Sequence, residues 1–460
     1  MDVCRRPDIR SCALIISILS SFIPPFMSSS VNIALPAIGS EFSMNAILLG
    51  WIATSYLLAA AVFMVPFGKL ADIYGMKRIF IYGLALHTFA SLLAAFSSSS
   101  EQLIASRVLQ GIGAAMIFGS GTAILVHVFP LKERGRVLGI NASSVYLGLT
   151  AGPFLGGLLT EYLGWRSLFL VNVPLGLVPL VVALWKLEGE WAEAREESFD
   201  LKGSIIYGLM LVSAMYGFSR LQDPEGVVLI AVAACSLFVL IRHELQAQSP
   251  VLDLRLFSQN RVYAFSNLAA LFSYSSTFAV GFLLSLYLQY IKGLQPEQAG
   301  LILLAQPAVM TLLSPTAGRL SDRIEPRIVA SAGMAFTVAA LLLLSSLDRL
   351  SSTGFILACL AILGLGLSLF AAPNTNAIMS SLEKRHYGVG SATLGTMRLV
   401  GQVTSMGIAM LVFSLYLGHA EIMPQNYPQF LLSMKAAFLI SGLLCFAGVF
   451  ASLARGSVRG

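Results

Sequence analysis

Three ionisable side chains lie in strongly apolar sequence, where they could do chemistry that surface residues cannot. His87 stands near the middle of an apolar run, and Arg107 and Arg398 stand at the start of two others. An imidazole suits proton exchange because its unperturbed pKa is about 6.5, although a packing histidine is the alternative. A guanidinium costs several kcal/mol at such depth unless it meets a polar partner or a cavity. Arg398 therefore either attracts an anionic or electron-rich ligand or bonds to backbone carbonyls.

A second set of residues consists of polar side chains on the apolar segments expected to surround a central pathway. These cavity candidates, to which Arg398 also belongs, are Asn32, Tyr56, Gln110, Tyr146, Asn267, Gln289, Gln306, Asn374, Asn376 and Gln402. Each could instead tie two helices together by a hydrogen bond that contributes about 0.6–2 kcal/mol. Pro373, next to Asn374, predicts a local helix break.

Other kinds of chemistry lack the residues that they need. None of the 23 acidic residues lies deep in an apolar segment, so the clustered groups of a membrane-embedded enzyme are missing. The five cysteines form no C-x-x-C pair, and no Walker A sequence is present. We therefore predict no enzymatic activity, no cofactor and no metal site. The net charge of +6 comes without a basic cluster, which argues against a nucleic-acid partner.

The spacing of the charges predicts the elements that position these residues. Only 11% of the chain is charged and 57% is hydrophobic, whereas soluble domains are about 25% charged. Fourteen stretches of sixteen or more residues lack Asp, Glu, Lys and Arg, and a helix crossing a bilayer needs about 17–25 residues. We predict an all-α polytopic membrane protein with 14 transmembrane helices. The short runs Gly203–Ser219 and Gly226–Ile241 leave it open whether both span.

The distribution of Lys and Arg predicts the orientation in the membrane. With the N-terminus inside, 22 of the 29 basic residues fall on the inner side and five on the outer side. Cytoplasmic loops carry such an excess. Both termini are therefore expected in the cytoplasm, with the chain in the cell membrane.

A sequence repeat indicates an internal duplication. Gly68-Lys69-Leu70-Ala71-Asp72 and Gly318-Arg319-Leu320-Ser321-Asp322 lie 250 residues apart, and Lys77 and Arg327 also match. Duplicated membrane bundles typically bind their ligand between the halves. We expect bundles at 1–186 and 261–460, joined by 187–260 with two extra helices and a solvated linker. The glycine permits close helix contact and the aspartate can meet a helix N-terminus, as in a gate; a plain topogenic loop is the alternative.

Three motifs resemble those of the major facilitator superfamily. Residues 68–78, with Gly68, Asp72, Lys77 and Arg78, are similar to its loop signature G-x-L-a-D-r-x-G-r-[RK], and Arg107–Gly113 is similar to its fourth-helix motif. Gly139, Gly148, Gly152-Pro153 and Gly156-Gly157 match the antiporter motif. Together with fourteen spans, they resemble the fourteen-span drug–proton antiporter family. The resemblance implies two six-helix bundles, an extra central helix pair and a role for Arg107 in coupling or conformational control.

The antiporter motif also has a physical interpretation. Gly148, Gly152 and Gly156 are four residues apart and share one helix face. A face of small residues permits close, sliding contact, and Pro153 bends the helix by removing a backbone donor. The motif is therefore expected to act as a rocking hinge, with static packing as the alternative.

These features predict a secondary active transporter. The resemblance implies export of amphipathic small molecules or drugs by alternating access, coupled to proton entry, with the lipid bilayer, the substrate and protons as partners of a monomer. The family's first-helix acidic position is occupied here by Met27, so an obvious proton carrier is missing and His87 is the candidate. An importer or facilitator on the same fold is the alternative, and a receptor or embedded enzyme is a more remote one.

Overall fold

The computed structural model describes residues 7–192, 199–246, 254–382, 387–418 and 420–456. The secondary structure of these ranges is helical. Fourteen helical segments are long and apolar enough to cross a membrane, which confirms the predicted number. The helices that contain the two short runs, Gly203–Ser219 and Gly226–Ile241, are among them.

The helices form a first bundle, an extra pair and a second bundle. The first bundle comprises α1 Pro7–Phe42, α2 Ala46–Tyr74, α3 Met76–Ala95, α4 Ser100–Val128, α5 Leu131–Leu163 and α6 Arg166–Lys186. The extra pair is α7 Leu201–Ser219 and α8 Pro224–Gln246, and α9 Leu254–Gln259 follows it. The second bundle comprises α10 Arg261–Thr277, α11 Ala279–Leu286, a π-helical turn Tyr287–Ile291, α12 Pro296–Leu303, α13 Ala305–Arg323, α14 Pro326–Leu344, α15 Thr353–Ser380, α16 Tyr387–Tyr416 and α17 Tyr427–Ala454.

Polar caps mark where several helices begin. The Asn45 side chain accepts a hydrogen bond from the Leu48 amide at 2.8 Å, at the start of α2, and Ser99 accepts one from the Gln102 amide at the start of α4. Such caps satisfy amides that lack an intrahelical partner. Gly75, between α2 and α3, has φ 120°, a conformation that favours glycine. Capping side chains and a glycine turn thus mark the boundaries between successive helices.

The two bundles pack by the same pattern. In the first bundle α1 packs on α5, α4 packs on α2 and α3, and α6 packs on α3 and α1. In the second bundle α10 packs on α16, α15 packs on α13 and α14, and α17 packs on α14 and α10. This repeated pattern supports the duplication inferred from the repeat. The exact bounds 1–186, 187–260 and 261–460 stay a prediction.

The extra pair is attached at one edge of the interface between the bundles. Helix α7 packs on α8, on α2 and on α16. The hydroxyl of Tyr207 donates to the carbonyl of Ala61 on α2 at 3.2 Å, and Gly407 on α16 faces the Phe218 ring. Within the described residues, the pair therefore contacts both bundles mainly through α7.

Breaks within the spans occur at other positions than the one that was expected. Helix α15 runs through Pro373 to Ser380 without interruption, so the break predicted beside Asn374 is wrong. The ninth span is instead interrupted at Phe278 and by the π-helical turn, and the tenth at Leu304. Phe278 follows the polar residues Ser275-Ser276-Thr277, and Leu304 lies three residues before Pro307, which lacks a backbone donor.

Candidate functional site

Arg107 lies in a closed polar network inside the first bundle. Its side chain is 1% exposed, its Nε donates to the Ile52 carbonyl at 3.1 Å, and its Nη1 donates to Gln110 Oε1 at 2.7 Å. The guanidinium lies 4.4 Å from the centre of the Tyr56 ring. These contacts offset the cost of a buried charge. They also tie α4 to α2.

His87 belongs to the same network. Its Nδ1 lies 3.1 Å from the carbonyl oxygen of Gln110, and its ring meets the Tyr56 ring edge-on at 6.4 Å. Gln110 also donates from Nε2 to Ser91 Oγ at 2.8 Å. His87 Nε2 is buried and has no hydrogen-bond partner among the described residues. The structure thus brings the side chains of His87, Tyr56, Gln110 and Arg107 together. This network lies inside the first bundle.

A second buried arginine, in the second bundle, went unnoticed in the sequence. Arg455 is fully buried, and its Nε donates to the Ser452 carbonyl at 2.8 Å. Its Nη1 donates to Asn374 Oδ1 at 3.1 Å and Ser266 Oγ at 3.3 Å. Asn374 Nδ2 donates in turn to the Ser266 carbonyl. Asn374, a cavity candidate, therefore joins α10, α15 and α17. Arg455 follows the last apolar run directly, and nothing in the sequence separates it from a loop arginine.

The bundles touch at the end of the molecule where α5 ends and α12 begins, here called the opposite face. Ser285 Oγ donates to the carbonyl of Asn32 at 2.6 Å. Gln289 Nε2 donates to the carbonyl of Ile33 at 2.9 Å. The Tyr162 hydroxyl donates to Glu297 Oε2 at 3.0 Å. Asn32 and Gln289 thus take part in contact between α1 and the ninth span.

The glycines of α5 serve two different neighbours. Gly148, Gly152 and Gly156 face α1: a Cβ at Gly148 would lie 2.5 Å from the Phe22 carbonyl oxygen, and one at Gly156 would lie 2.8 Å from the Ser30 Cα. Gly157 faces the second bundle, where its Cβ would lie 2.5 Å from the Pro296 carbonyl oxygen. Helix α5 therefore packs tightly within its own bundle and across the interface.

Gly300 makes the reciprocal approach from α12. A Cβ at Gly300 would clash with the carbonyl oxygen of Pro153. Pro153 lies inside α5, which remains helical on both sides of it. The α5–α12 contact thus depends on a glycine from each bundle.

At the other end of the molecule, the basic face where α2 and α13 end, both repeat glycines face open space. No atom lies within 4 Å of a Cβ at Gly68 or at Gly318. The close approach to α2 comes from Gly119 on α4, whose Cβ would lie 3.1 Å from the Gly68 amide nitrogen. Asp72 and Arg327 are half-buried. The side chain of Asp322 lies outside the described part of the structure.

Two residues at the start of the predicted solvated linker, Glu190 and Trp191, bind the signature loop, contrary to expectation. The Glu190 carboxylate accepts from the Lys77 amide at 2.9 Å and lies 3.5 Å from Arg78 Nε. The Met76 amide donates to the Trp191 carbonyl at 2.9 Å. Glu190 therefore satisfies the free amide at the start of α3. The acidic linker composition did not distinguish this residue from its neighbours.

Arg398 lies between the bundles, near two tyrosines. It is half-buried on α16 and interacts electrostatically with Tyr146 of α5 and Tyr274 of α10. Among the described residues it makes no hydrogen bond and no ion pair. A Cβ at Gly401, one turn along α16, would lie 2.8 Å from the Tyr274 Cβ, so α10 and α16 approach closely here. Tyr274 was not among the predicted residues, although it lies in an apolar run as Tyr146 does.

The remaining cavity candidates are distributed over the second bundle. Gln306 and Gln402 are half-buried, and their side chains form no hydrogen bond within the described ranges. Asn376 Nδ2 donates to Ser321 Oγ at 3.3 Å. Asn267 is buried and donates to the Tyr263 carbonyl at 2.9 Å. Gln306 and Gln402 thus have amides free to meet a ligand, whereas Asn376 joins α15 to α13 and Asn267 bonds within its own helix, α10.

Comparison with known proteins places this arrangement in a family. The family model described as Major Facilitator Superfamily matches residues 17–256 and 267–458. The riboflavin transporter RibZ of Clostridioides difficile (strain 630) is 28% identical over 437 residues, covering 95% of each chain. The tetracenomycin C resistance and export protein of Streptomyces glaucescens is 30% identical over 411 residues, covering 87% of this chain and 75% of that one.

The solved structures give the same fold. A bacterial homolog of the human lysosomal transporter Spinster matches with a TM-score of 0.70 at 16% identity, covering 98% of this chain and 97% of that one. This likeness shows that the two chains share a fold. The chain therefore belongs to the Major Facilitator Superfamily, as a multi-pass membrane transporter of small molecules and not an enzyme.

Proposed function

We propose that this transporter exports amphipathic small molecules by alternating access. The packing of α5 on two neighbours carries the proposal. Gly148, Gly152 and Gly156 of the antiporter motif face α1 of the same bundle, and Gly157 faces α12 of the other bundle. A helix held closely by both bundles transmits a rocking motion from one to the other. The names of two relatives, an antibiotic export protein and a riboflavin transporter, support a small organic substrate.

The contacts between the bundles correspond to one state of that cycle. Asn32, Ile33 and Pro153 are in contact with the second bundle at the opposite face. Gly68 and Gly318 have open space at the basic face. If basic loops lie in the cytoplasm, this is the state in which an exporter takes up substrate. The proposal thus includes a location in the cell membrane, cytoplasmic termini and a monomer as the working unit.

Proton entry drives export in this proposal, with His87 as the proton carrier. His87 Nε2 is buried and lacks a partner among the described residues, so it can accept a proton. Protonation would place a second positive charge next to Arg107, which shares Gln110 with His87. Repulsion in this low-dielectric surrounding would weaken the contacts between α2 and α4.

A vesicle assay tests the direction and the coupling together. The purified transporter is reconstituted in liposomes, and uptake of a lipophilic dye into inside-out vesicles is followed with an imposed pH gradient. We expect uptake when the lumen is acidic and a loss of about tenfold or more in His87→Gln, which cannot carry the proton. His127→Gln is the control, because His127 lies near the basic face and bonds to the Ala123 carbonyl.

Two results would contradict parts of the proposal. Uptake that ignores the gradient in both the wild type and His87→Gln rejects proton coupling. Transport only in the reverse direction, or equilibration without any gradient, favours the importer or facilitator on the same fold.

A further inference from the structure

The three arginines at depth fall into two kinds. Arg107 and Arg455 are 1% and 0% exposed, and both donate several hydrogen bonds to carbonyl, amide or hydroxyl oxygens. Arg398 is half-buried and has neither a hydrogen bond nor an ion pair in the described part of the chain. An arginine held in a membrane segment without a partner faces water or a ligand. Arg398 is therefore available for binding.

The surroundings of Arg398 are contributed by both bundles. Tyr146 comes from α5 and Tyr274 from α10, and both lie within electrostatic range of the Arg398 guanidinium. All three side chains are half-buried, so they border space and not a packed core. A ligand seated here would contact both bundles at once. Such contact is what a substrate needs in order to bias one bundle position over another.

The charge at this place is not compensated by the protein. No acidic residue lies inside an apolar run, and no described carboxylate pairs with Arg398. Its planar guanidinium can donate two parallel hydrogen bonds to a carboxylate. The two phenol rings offer faces to a planar apolar group, and their hydroxyls offer hydrogen bonds.

We infer that Arg398, Tyr146 and Tyr274 bind the anionic group of the substrate, so that the transported class is amphipathic organic anions. The inference rests on the proposed transport function. The site replaces the missing first-helix acid of cation exporters by a fixed positive charge between the bundles. Water solvates this charge until a carboxylate displaces it.

A matched pair of probes tests the inference. Pyrenebutyric acid and pyrenebutyramide have the same ring system and differ in the charged carboxylate. Binding to the transporter in nanodiscs of uncharged lipid is measured by fluorescence, with empty nanodiscs subtracted. We expect the acid to bind at least about tenfold more tightly than the amide. Arg398→Met should abolish the difference, and Arg398→Lys should retain part of it because the charge remains without the fork.

Arg242→Gln is the matched control. Arg242 is exposed at the end of α8, over the Phe238 ring, and its loss should leave the acid preference unchanged. Equal affinity of the wild type for acid and amide overturns the inference, as does a preference that persists in Arg398→Met. If Arg398→Met fails to fold, the wild-type preference and Arg398→Lys still decide.

Transport of the same two probes separates this inference from the proposed function. Vesicle uptake of both probes at equal rates leaves the exporter standing and removes the anion site. Acid binding that depends on Arg398, without movement of either probe across the membrane, removes the proposed export and leaves the anion site. Uptake of the acid alone, lost in Arg398→Met, supports both.

Discussion

The buried arginines in the two bundles stabilise their own bundle and not a ligand. Arg107 joins α4 to α2 through the Ile52 carbonyl, and Arg455 joins α17 to α15 through Asn374. Each satisfies polar groups that would be costly to leave unpaired in an apolar interior. Both arginines therefore brace the inside of a bundle, whereas Arg398 is accessible.

This difference predicts a stability effect at Arg455. Arg455→Met removes the donors to Asn374 Oδ1 and the Ser452 carbonyl and leaves these acceptors buried. We expect the free energy of unfolding to fall by about 3 kcal/mol, measured by denaturant titration in one detergent. Arg261→Met is the control, because that exposed side chain makes a single hydrogen bond within the described ranges, to the Ala454 carbonyl, and surface changes stay within about 0.5 kcal/mol. Equal losses of stability in the two variants would contradict the stabilising role of Arg455.

At the scale of elements, α5 is the helix whose packing differs most between its two sides. Three of its glycines face α1, and Gly157 faces Pro296 of α12. The sequence indicated a small-residue face with a four-residue period, but periodicity cannot tell which neighbour lies on which side. The sequence motif also includes both Gly156 and Gly157, but in the structure Gly156 faces α1 of the first bundle and Gly157 faces α12 of the second.

The contact of Gly157 predicts a shift between conformations. Gly157→Ala places a Cβ against the Pro296 backbone, and such overpacking costs about 1–3 kcal/mol. Because the strain falls on the interface alone, we expect the state open at the opposite face to gain roughly 5- to 150-fold in population. The measurement is the rate at which a membrane-impermeant thiol reagent labels Asn32→Cys in a cysteine-free background. Asn32 suits this because its contact uses the backbone carbonyl.

Gly281→Ala is the matched control for that experiment. Gly281 lies in α11 with no atom within 4 Å of a Cβ, so alanine should leave the labelling rate unchanged. Unchanged labelling in Gly157→Ala as well would mean that the α5–α12 contact does not close the opposite face.

For the whole molecule, the order of charges was enough to predict fourteen spans, whereas the two bundles and the extra pair were predicted from the repeat and from the family resemblance. It was enough because every charge buried in lipid carries a free-energy cost. The length of a segment without charged residues therefore indicates whether that segment can cross the bilayer. The candidate site was less predictable. Arg398 and Tyr146 could be named from the sequence, but Tyr274 comes near them only through the packing of α10 on α16. Arg455 and Glu190 likewise depend on which helix end or loop folds back onto which neighbour.

Open glycines at the basic face predict how the bundles move as rigid bodies. Gly68, Gly139 and Gly318 have no atom within 4 Å of a Cβ, so they can accept close contact in another state. Rocking about the middle then shortens distances at the basic face while it lengthens those at the opposite face. Spin labels on the exposed residues Ser143 and Thr316 measure the distance at the basic face. Labels on the exposed residues Leu163 and Leu301 measure the distance at the opposite face.

The strained interface of Gly157→Ala supplies the perturbation without any assumption about the substrate. Relative to wild type, we expect this variant to gain a population with a shorter Ser143–Thr316 distance and a longer Leu163–Leu301 distance, in equal proportion because one motion produces both. Gly281→Ala should give the wild-type distributions. If both distances lengthen together, the bundles separate instead of rocking, and the glycines of α5 are then static packing residues and not parts of a hinge.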